Sequence, residues 1–285
     1  MTEKISLFGA GFIGGKFAET YPDEVEVMPR DAEFTTNPHI LYGISTIHNY
    51  HPKDGNPFID IETNLLKFVR VLDKSITDGS VFNLISTWFV YGEVPLPAQE
   101  DARCLPTGFY SITALAREQL LKSYCETFGL KYRILRLGNV IGIGDKKISP
   151  RKNALQWMVK ELAQGREVKL YKGDPIRDFI DVRDCVKAIH LVLEKGELNT
   201  IYNISNGEGL RISTLLEVAN RAGGYKGKIG EMEVPDFHSK VQTSKMWMDT
   251  RKLKSLGYVK SHDIETSVEE LVHYYQLRQE HDEQG

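Results

Sequence analysis

Only three cysteines occur in the 285 residues. Cys104, Cys125 and Cys185 are widely scattered, with neither metal-ligand spacing nor the density of a disulfide framework, so no metal centre and no oxidised scaffold is expected. Buried thiols behaving as small hydrophobes are the expectation, ahead of a catalytic thiol. No apolar run approaches the length of a membrane span, and the opening residues lack the layout of a signal peptide. The expectation is therefore a cytoplasmic protein with no membrane contact. The formal charge of −3 is too small to give an electrostatic reason for a nucleic-acid partner. Repeats and low-complexity tracts are also missing, and only the polar end Gln279–Gly285 is expected as frayed surface. What is present has the composition of an ordinary globular chain, long enough for one large domain or a main domain with a smaller lobe.

The first half alternates short branched or aromatic runs with helical patterns. Ile5–Phe8, Val25–Met28, Ile40–Ile44, Val81–Ile85 and Tyr132–Leu137 read as strands. Between them Ile13–Thr20, Ile59–Lys74 and Ile112–Phe128 carry apolar residues at helical spacing, and Gly129 stands where a helix stop belongs. Such alternation predicts an α/β fold, a doubly wound parallel sheet covered on both faces. After Leu137 the pattern loosens. Helices are predicted over Leu155–Gln164, Cys185–Leu193, Ser213–Ala222 and Ser267–Leu277, and strands over Val168–Tyr171 and Ile201–Ile204. These describe a smaller C-terminal lobe placed over the carboxyl ends of the strands, where open α/β sheets bind ligands.

Gly9-Ala-Gly11-Phe12-Ile13-Gly14 is a GxGxxG run. Alone it is a weak signal, but it directly follows a predicted strand and opens a predicted helix. Gly9 would permit the tight turn, Gly11 the approach of a pyrophosphate, and Gly14 close helix–sheet packing. The free N–H groups at the helix start favour an anion, so the run predicts NAD or NADP. An acid near the end of the second strand selects NAD and an arginine selects NADP. Arg30 and Asp31 stand there side by side, and Arg30, nearer the strand, tilts the reading to NADP.

Further along, Ser86-Thr-Trp-Phe-Val-Tyr-Gly92 closes a predicted strand and Tyr110 precedes a helix. With the glycine loop, Thr63-Asn64, Arg136–Gly144, Arg177–Asp184, Tyr202–Gly209 and Asp249–Lys252 followed by Leu256-Gly-Tyr258, these segments resemble, in order, the nucleotide-sugar epimerase/dehydratase branch of the extended short-chain dehydrogenase/reductase family. The glycine loop departs from it in one place, where Phe8 stands for a glycine. The resemblance implies a Rossmann dinucleotide-binding domain over residues 1–139 and 181–206, and a nucleotide-sugar-binding lobe over 140–180 and 207–285. It implies Thr87 as the hydroxyl that bonds the reacting sugar oxygen and Tyr110 as the acid/base beside the cofactor. Asn139 and Arg177 are implied for the sugar nucleotide, although a structural pair of Arg177 with Asp178 or Asp181 is the competing reading. It also implies a homodimer through helices 59–74 and 112–128, with Leu65, Leu66, Phe68, Leu115, Leu120 and Leu121 as contacts, or else core packing of those residues within one chain.

The family places a lysine four residues after the tyrosine, where its charge favours the phenolate and its ammonium bonds the nicotinamide ribose. Here that residue is Ala114. Arg117, three residues on, either reaches in or is a solvated surface arginine. The gap leaves three readings open: a working enzyme with a weakened base, a member that binds dinucleotide or nucleotide sugar as a sensor or scaffold, or a substitution made to trap a complex. Family 4,6-dehydratases carry Asp-Glu after the threonine; Trp88-Phe89 cannot transfer protons. Dehydration is thereby disfavoured, leaving an epimerase or a 4-keto-sugar reductase.

Overall fold

The computed structural model describes residues 4–46, 56, 58–75, 79–150, 152–241 and 243–284. The chain opens with β1 (Ile5–Phe8), α1 (Phe12–Thr20), β2 (Val25–Val27) and β3 (His39–Tyr42). A helical run follows as α2 (Phe58–Asp60), a π-helical segment (Ile61–Leu66) and α3 (Lys67–Ser75). Then come β4 (Val81–Thr87), a 3₁₀ turn (Trp88–Val90), α4 (Phe109–Phe128) and β5 (Lys131–Leu137). Gly129 ends α4 in the left-handed region at φ 69°, the stop that its sequence position predicts.

The second half runs β6 (Asn139–Ile141), α5 (Ala154–Ala163), β7 (Glu167–Tyr171), β8 (Ile176–Arg177), β9 (Phe179–Asp181), α6 (Val182–Lys195) and β10 (Thr200–Ile204). It closes with β11 (Leu210–Arg211), α7 (Ile212–Ala222), β12 (Lys228–Met232), α8 (Asp236–Val241), β13 (Lys245–Met246), α9 (Arg251–Ser255) and α10 (Ile264–Gln284). With neither Gly nor Pro between Ile264 and Gln284 to stop it, α10 carries helical backbone through Gln284. The polar end expected as frayed is therefore helical, and Gly285 lies outside the described residues.

Six strands form the main sheet in the order β10-β5-β4-β3-β1-β2, and every pairing in it is parallel. Strand side chains alternate between faces, which sorts the core into two layers. Ile5, Leu7, Leu135, Leu137 and Ile204 pack with Phe17 of α1 and with Cys185, Ile189 and Val192 of α6. Phe8, Ile40, Tyr42, Phe82 and Leu84 pack with Phe68, Val71 and Leu72 of α3 and with Leu121 and Cys125 of α4. The doubly wound Rossmann arrangement follows. A further core joins Leu155, Val159 and Leu162 of α5 to Leu215 and Leu216 of α7 and to Val268, Leu271 and Val272 of α10, giving the C-terminal lobe.

All three cysteines are free, and burial pushes the Cys125 thiol up to about 12 and the Cys185 thiol higher still. Both stay neutral and act as packing atoms. No helix among the described residues is long and apolar enough to cross a membrane.

Candidate functional site

The chain passes from β1 to β2 on one side and returns through β3 to the other, so the crevice between β1 and β3 is the switch point of the sheet. The glycine loop fills it. Gly9 has φ 104°, and a Cβ there would meet the Gly43 carbonyl carbon and the Ile44 nitrogen beyond β3 at 2.9 Å. A Cβ on Gly14 would lie 2.2 Å from the Gly9 carbonyl oxygen, so this position in the first turn of α1 tolerates only glycine. Gly11, in contrast, has no atom within 4 Å of where a Cβ would be, leaving open space in front of the helix. Phe12 and Ile13 begin α1, and Ile13 packs against the core below. No side chain caps this helix and no acid stands in its first turn, so its N–H groups and positive dipole end face that space uncompensated. These residues fit a dinucleotide pyrophosphate.

Beyond β2, Arg30 and Asp31 are both exposed. The Lys67 ammonium donates to the Arg30 carbonyl, which adds a second cation at this corner.

Thr87 ends β4 in extended geometry. Its Oγ1 accepts from the Phe89 N–H at 3.3 Å, which leaves its own hydrogen to donate. α4 starts at Phe109, earlier than its apolar periodicity predicts, because the Ser111 hydroxyl accepts from the Gly108 N–H at 3.0 Å. Tyr110 therefore lies in the first helical turn, its ring edge-on to Phe89 with centroids 5.8 Å apart. Phe89 is stacked at 3.9 Å on Trp88, and the Arg177 guanidinium lies 5.4 Å over the Trp88 ring. The positions that carry Asp-Glu in dehydratases are thus filled by an aromatic wall.

The turn that carries Tyr110 is anchored from below. Asn64 is fully buried in the π-helical segment, a rare geometry that recurs at functional sites. Its amide donates to Thr113 Oγ1 at 3.0 Å, its oxygen accepts from the Thr46 N–H at 3.0 Å, and the Thr113 hydroxyl donates to the Tyr110 carbonyl at 3.1 Å. The loop after β3 is thereby tied to the start of α4.

Ala114 is fully buried, packed in a cluster with Trp88, Val90, Tyr91 and Met248. Arg117 is not a surface residue: it is 1% exposed. Its guanidinium donates to the Ile44 carbonyl at 2.7 Å and the Ile85 carbonyl at 3.2 Å, at the carboxyl ends of β3 and β4. Burial pushes that guanidinium below the usual arginine range, while the neighbouring Glu118 carboxylate favours its charge. The solvated reading fails because two main-chain oxygens, distant in sequence, offer this cation a place inside.

The two residues implied for the sugar nucleotide are engaged with the protein. Asn139 donates to the Asp178 carbonyl at 2.9 Å and accepts from the Trp88 indole at 3.3 Å. Arg177, 7% exposed, donates to the Thr243 carbonyl at 2.7 Å and the Ser244 carbonyl at 3.0 Å. Asp178 accepts instead from the Gly207 and Met248 N–H groups, and Asp181 from Arg183. A cavity of about 640 Å³ lies elsewhere, lined by Cys104, Glu118, Lys122 and Arg136; neither Thr87 nor Tyr110 borders it.

Comparison with known proteins bears on the family and the fold. The sequence profile of the NAD dependent epimerase/dehydratase family matches residues 49–205, more than half of the chain and inclusive of Thr87, Tyr110, Asn139 and Arg177. A low-salt glycan biosynthesis protein of Haloferax volcanii is 29% identical over 225 residues, 77% of this chain and 69% of that one. A GDP-6-deoxy-D-mannose reductase of Pseudomonas aeruginosa is 29% identical over 170 residues, 57% of this chain and 56% of that one. The fold resembles that of the UDP-glucose 4-epimerase of Thermotoga maritima solved with UDP-glucose, with a TM-score of 0.83 at 23% identity over 97% of this chain and 99% of that one. It also resembles that of a Pseudomonas aeruginosa protein complexed with NADPH, with a TM-score of 0.83 at 21% identity over 97% and 100%. With the glycine cradle, the parallel sheet and the profile match in agreement, the chain belongs to the NAD-dependent epimerase/dehydratase family.

Proposed function

We propose that this chain is an NAD(P)-dependent nucleotide-sugar epimerase or 4-keto-sugar reductase. In this reading, residues 1–139 and 181–206 hold the dinucleotide and residues 140–180 and 207–285 hold the nucleotide sugar. The observation that carries it is the pairing of a donor-ready Thr87 with Tyr110, joined through Phe89 at the carboxyl edge that also carries the glycine cradle. Relatives bearing both epimerase and reductase names support the same pair of reactions.

Gly9, Gly11, Phe12, Ile13 and Gly14 would hold the pyrophosphate on the start of α1. Arg30, with Lys67 beside it and Asp31 against it, favours NADP over NAD by charge. When bound, the nicotinamide supplies or accepts the hydride. Thr87 donates to the sugar oxygen at the reacting carbon, holding it still. Tyr110 takes that oxygen's proton on oxidation and returns it on reduction. Trp88 and Phe89 have no proton to give a leaving hydroxyl, so water elimination is outside this site's chemistry. Asn139 and Arg177 are assigned to the diphosphate, Arg177 exchanging its carbonyl partners for phosphate oxygens in the fork geometry that suits it.

The second reading, a binder without turnover, is favoured by the buried Ala114. Exchange of label between deuterated NADPH and a panel of nucleotide sugars and 4-keto sugars separates the two. Label transfer is the expected result, whereas tight binding of both ligands with no transfer across the panel establishes the binder.

A homodimer forms part of the proposal. Phe68 and Leu121 belong to the core of the single chain, but Leu66 is 51% exposed, Leu120 42%, Val69 39% and Ile112 49% on the same helical pair. Such a set of apolar side chains is what a helix-to-helix interface buries. Light scattering should report twice the chain mass at micromolar concentration; a monomer there removes the interface.

A further inference from the structure

We propose that Arg117 is a positioning residue that supplies, from inside the protein, the positive charge whose family position is occupied here by Ala114. The proposal rests on the functional reading above for the role of Tyr110. Tyr110, Ala114 and Arg117 stand at i, i+4 and i+7, on one face of α4. Long helical side chains run back toward the helix N-terminus, which directs Arg117 along the turn that carries Ala114 and toward the Tyr110 end of the helix. Its guanidinium ends on the Ile44 and Ile85 carbonyls. Ile44 abuts Gly9, and Ile85 lies two residues before Thr87, so the charge sits under the junction of the dinucleotide loop and the reacting site.

Among the described residues no carboxylate forms an ion pair with Arg117; Glu118, next along α4, is committed to Arg136 of β5. Asp60, in the helical run packed on α4, is bonded to Thr46. From β3 the facing group is the Tyr42 phenol, which burial pushes up and which therefore stays neutral. Arg117 Nε and the Tyr42 hydroxyl are buried with no hydrogen-bond partner among the described residues. A buried charge with only carbonyl partners is costly, and the side chain on this face of α4 able to present an anion to it is that of Tyr110.

The substitution is partial. The lysine of the family pattern both favours the phenolate and bonds the nicotinamide ribose; Arg117 is enclosed and spends its NH1 and NH2 donors on carbonyls, so it takes over the first task only. Cofactor affinity should therefore be insensitive to Arg117 while proton transfer depends on it.

The test is a carbon-13 NMR titration of ring-labelled tyrosine, with the Tyr110 signal assigned through Tyr110→Phe, on the native protein, Arg117→Met, Ala114→Lys and the double variant. It needs no substrate, so a native protein that fails to exchange hydride would defeat the functional reading without touching this result. In Arg117→Met the midpoint of the Tyr110 signal should rise by about one pH unit or more, and the double variant should bring it back. The acid limb of any exchange rate should follow, with the NADPH dissociation constant changed less than about twofold. If Arg117→Met folds and the midpoint stays in place, Arg117 merely ties β3 to β4 and the proposal is overturned. Ala114→Lys decides the matter even if Arg117→Met does not fold. With Arg117 already acting, the new lysine should move the midpoint by less than about half a unit, whereas a drop of more than about one unit would show that no cation serves Tyr110 in the native protein.

Discussion

Tyr110→Phe should lower hydride exchange by roughly 10²–10⁴-fold while leaving the fold and dinucleotide affinity intact. The phenylalanine ring retains the edge-on contact with Phe89, and the helix start depends on Ser111 and on the Tyr110 main chain rather than on the phenol. What is lost is the one group in the Thr87–Tyr110 pair able to take a proton from the sugar oxygen. The effect should fall on kcat, because the interaction is made as the proton moves and not in ground-state binding. Thr87→Val, which removes a single hydrogen bond to the same oxygen, should cost less. A Tyr110→Phe enzyme with more than about a third of native exchange would leave the acid/base role without an owner.

Glu118→Ala should destabilise the protein by about 3–5 kcal/mol, read as a lower midpoint in urea with an unchanged slope. Glu118 and Arg136 have side chains 1% and 3% exposed, and they meet in a fork: Arg136 NH2 donates to one carboxylate oxygen at 2.7 Å and Nε to the other at 3.1 Å. The Ser86 hydroxyl donates to the same carboxylate. The Arg136 charge is held above its usual range by this carboxylate, although burial alone would lower it. Removing Glu118 leaves a guanidinium in the core with a carbonyl bond to Glu100 and the Tyr91 ring as its remaining support. The pair as a whole is a different matter. Replacing both residues by apolar ones of similar volume should recover most of the loss, because desolvation of two ions offsets much of their attraction. A double variant as unstable as Glu118→Ala would show that the cost lies in packing around α4, not in the stranded charge.

The parts of this account legible in the sequence are those in which the constraint is local. Gly9 and Gly14 announce themselves because a left-handed turn and a 2.2 Å approach are demands on the backbone at those positions. The inner strands β1, β3 and β4 of the main sheet show as largely apolar runs because both of their faces are covered. The resemblance segments behave similarly, but many of their residues turn out to be joints. Asn203 accepts from the Tyr91 hydroxyl and donates to Ala98 and Asp249 carbonyls. Asp181 caps α6, and Asp184 holds the turn at Ser261 and His262.

Where a long side chain ends is not local, and there the sequence is mute. Arg117 and Arg177 have carboxylates close by in sequence, yet the first ends on carbonyls of residues 44 and 85 and the second on those of 243 and 244. Those acceptors come from strand β4 and from segments between strands, far away in sequence, that nothing flanking either arginine identifies. The burial of Asn64 is hidden for the same reason, since its amide donates to Thr113, 49 residues away. The apolar periodicity of helices 59–74 and 112–128 likewise leaves the faces unsorted, whereas the fold gives Phe68 and Leu121 to the core and Leu66 and Leu120 to the surface.

The central claim is that the loop from Gly9 to Gly14 holds a dinucleotide. Its most direct test is a fluorescence titration of NADH and NADPH on the native protein, on Gly14→Ala and on Ala114→Lys. Saturable binding by the native protein is expected, with NADPH favoured through Arg30, little or no binding by Gly14→Ala, and equal or tighter binding by Ala114→Lys. Failure of both the native protein and Ala114→Lys to bind either nucleotide would contradict the account at its base, whatever the fold resembles.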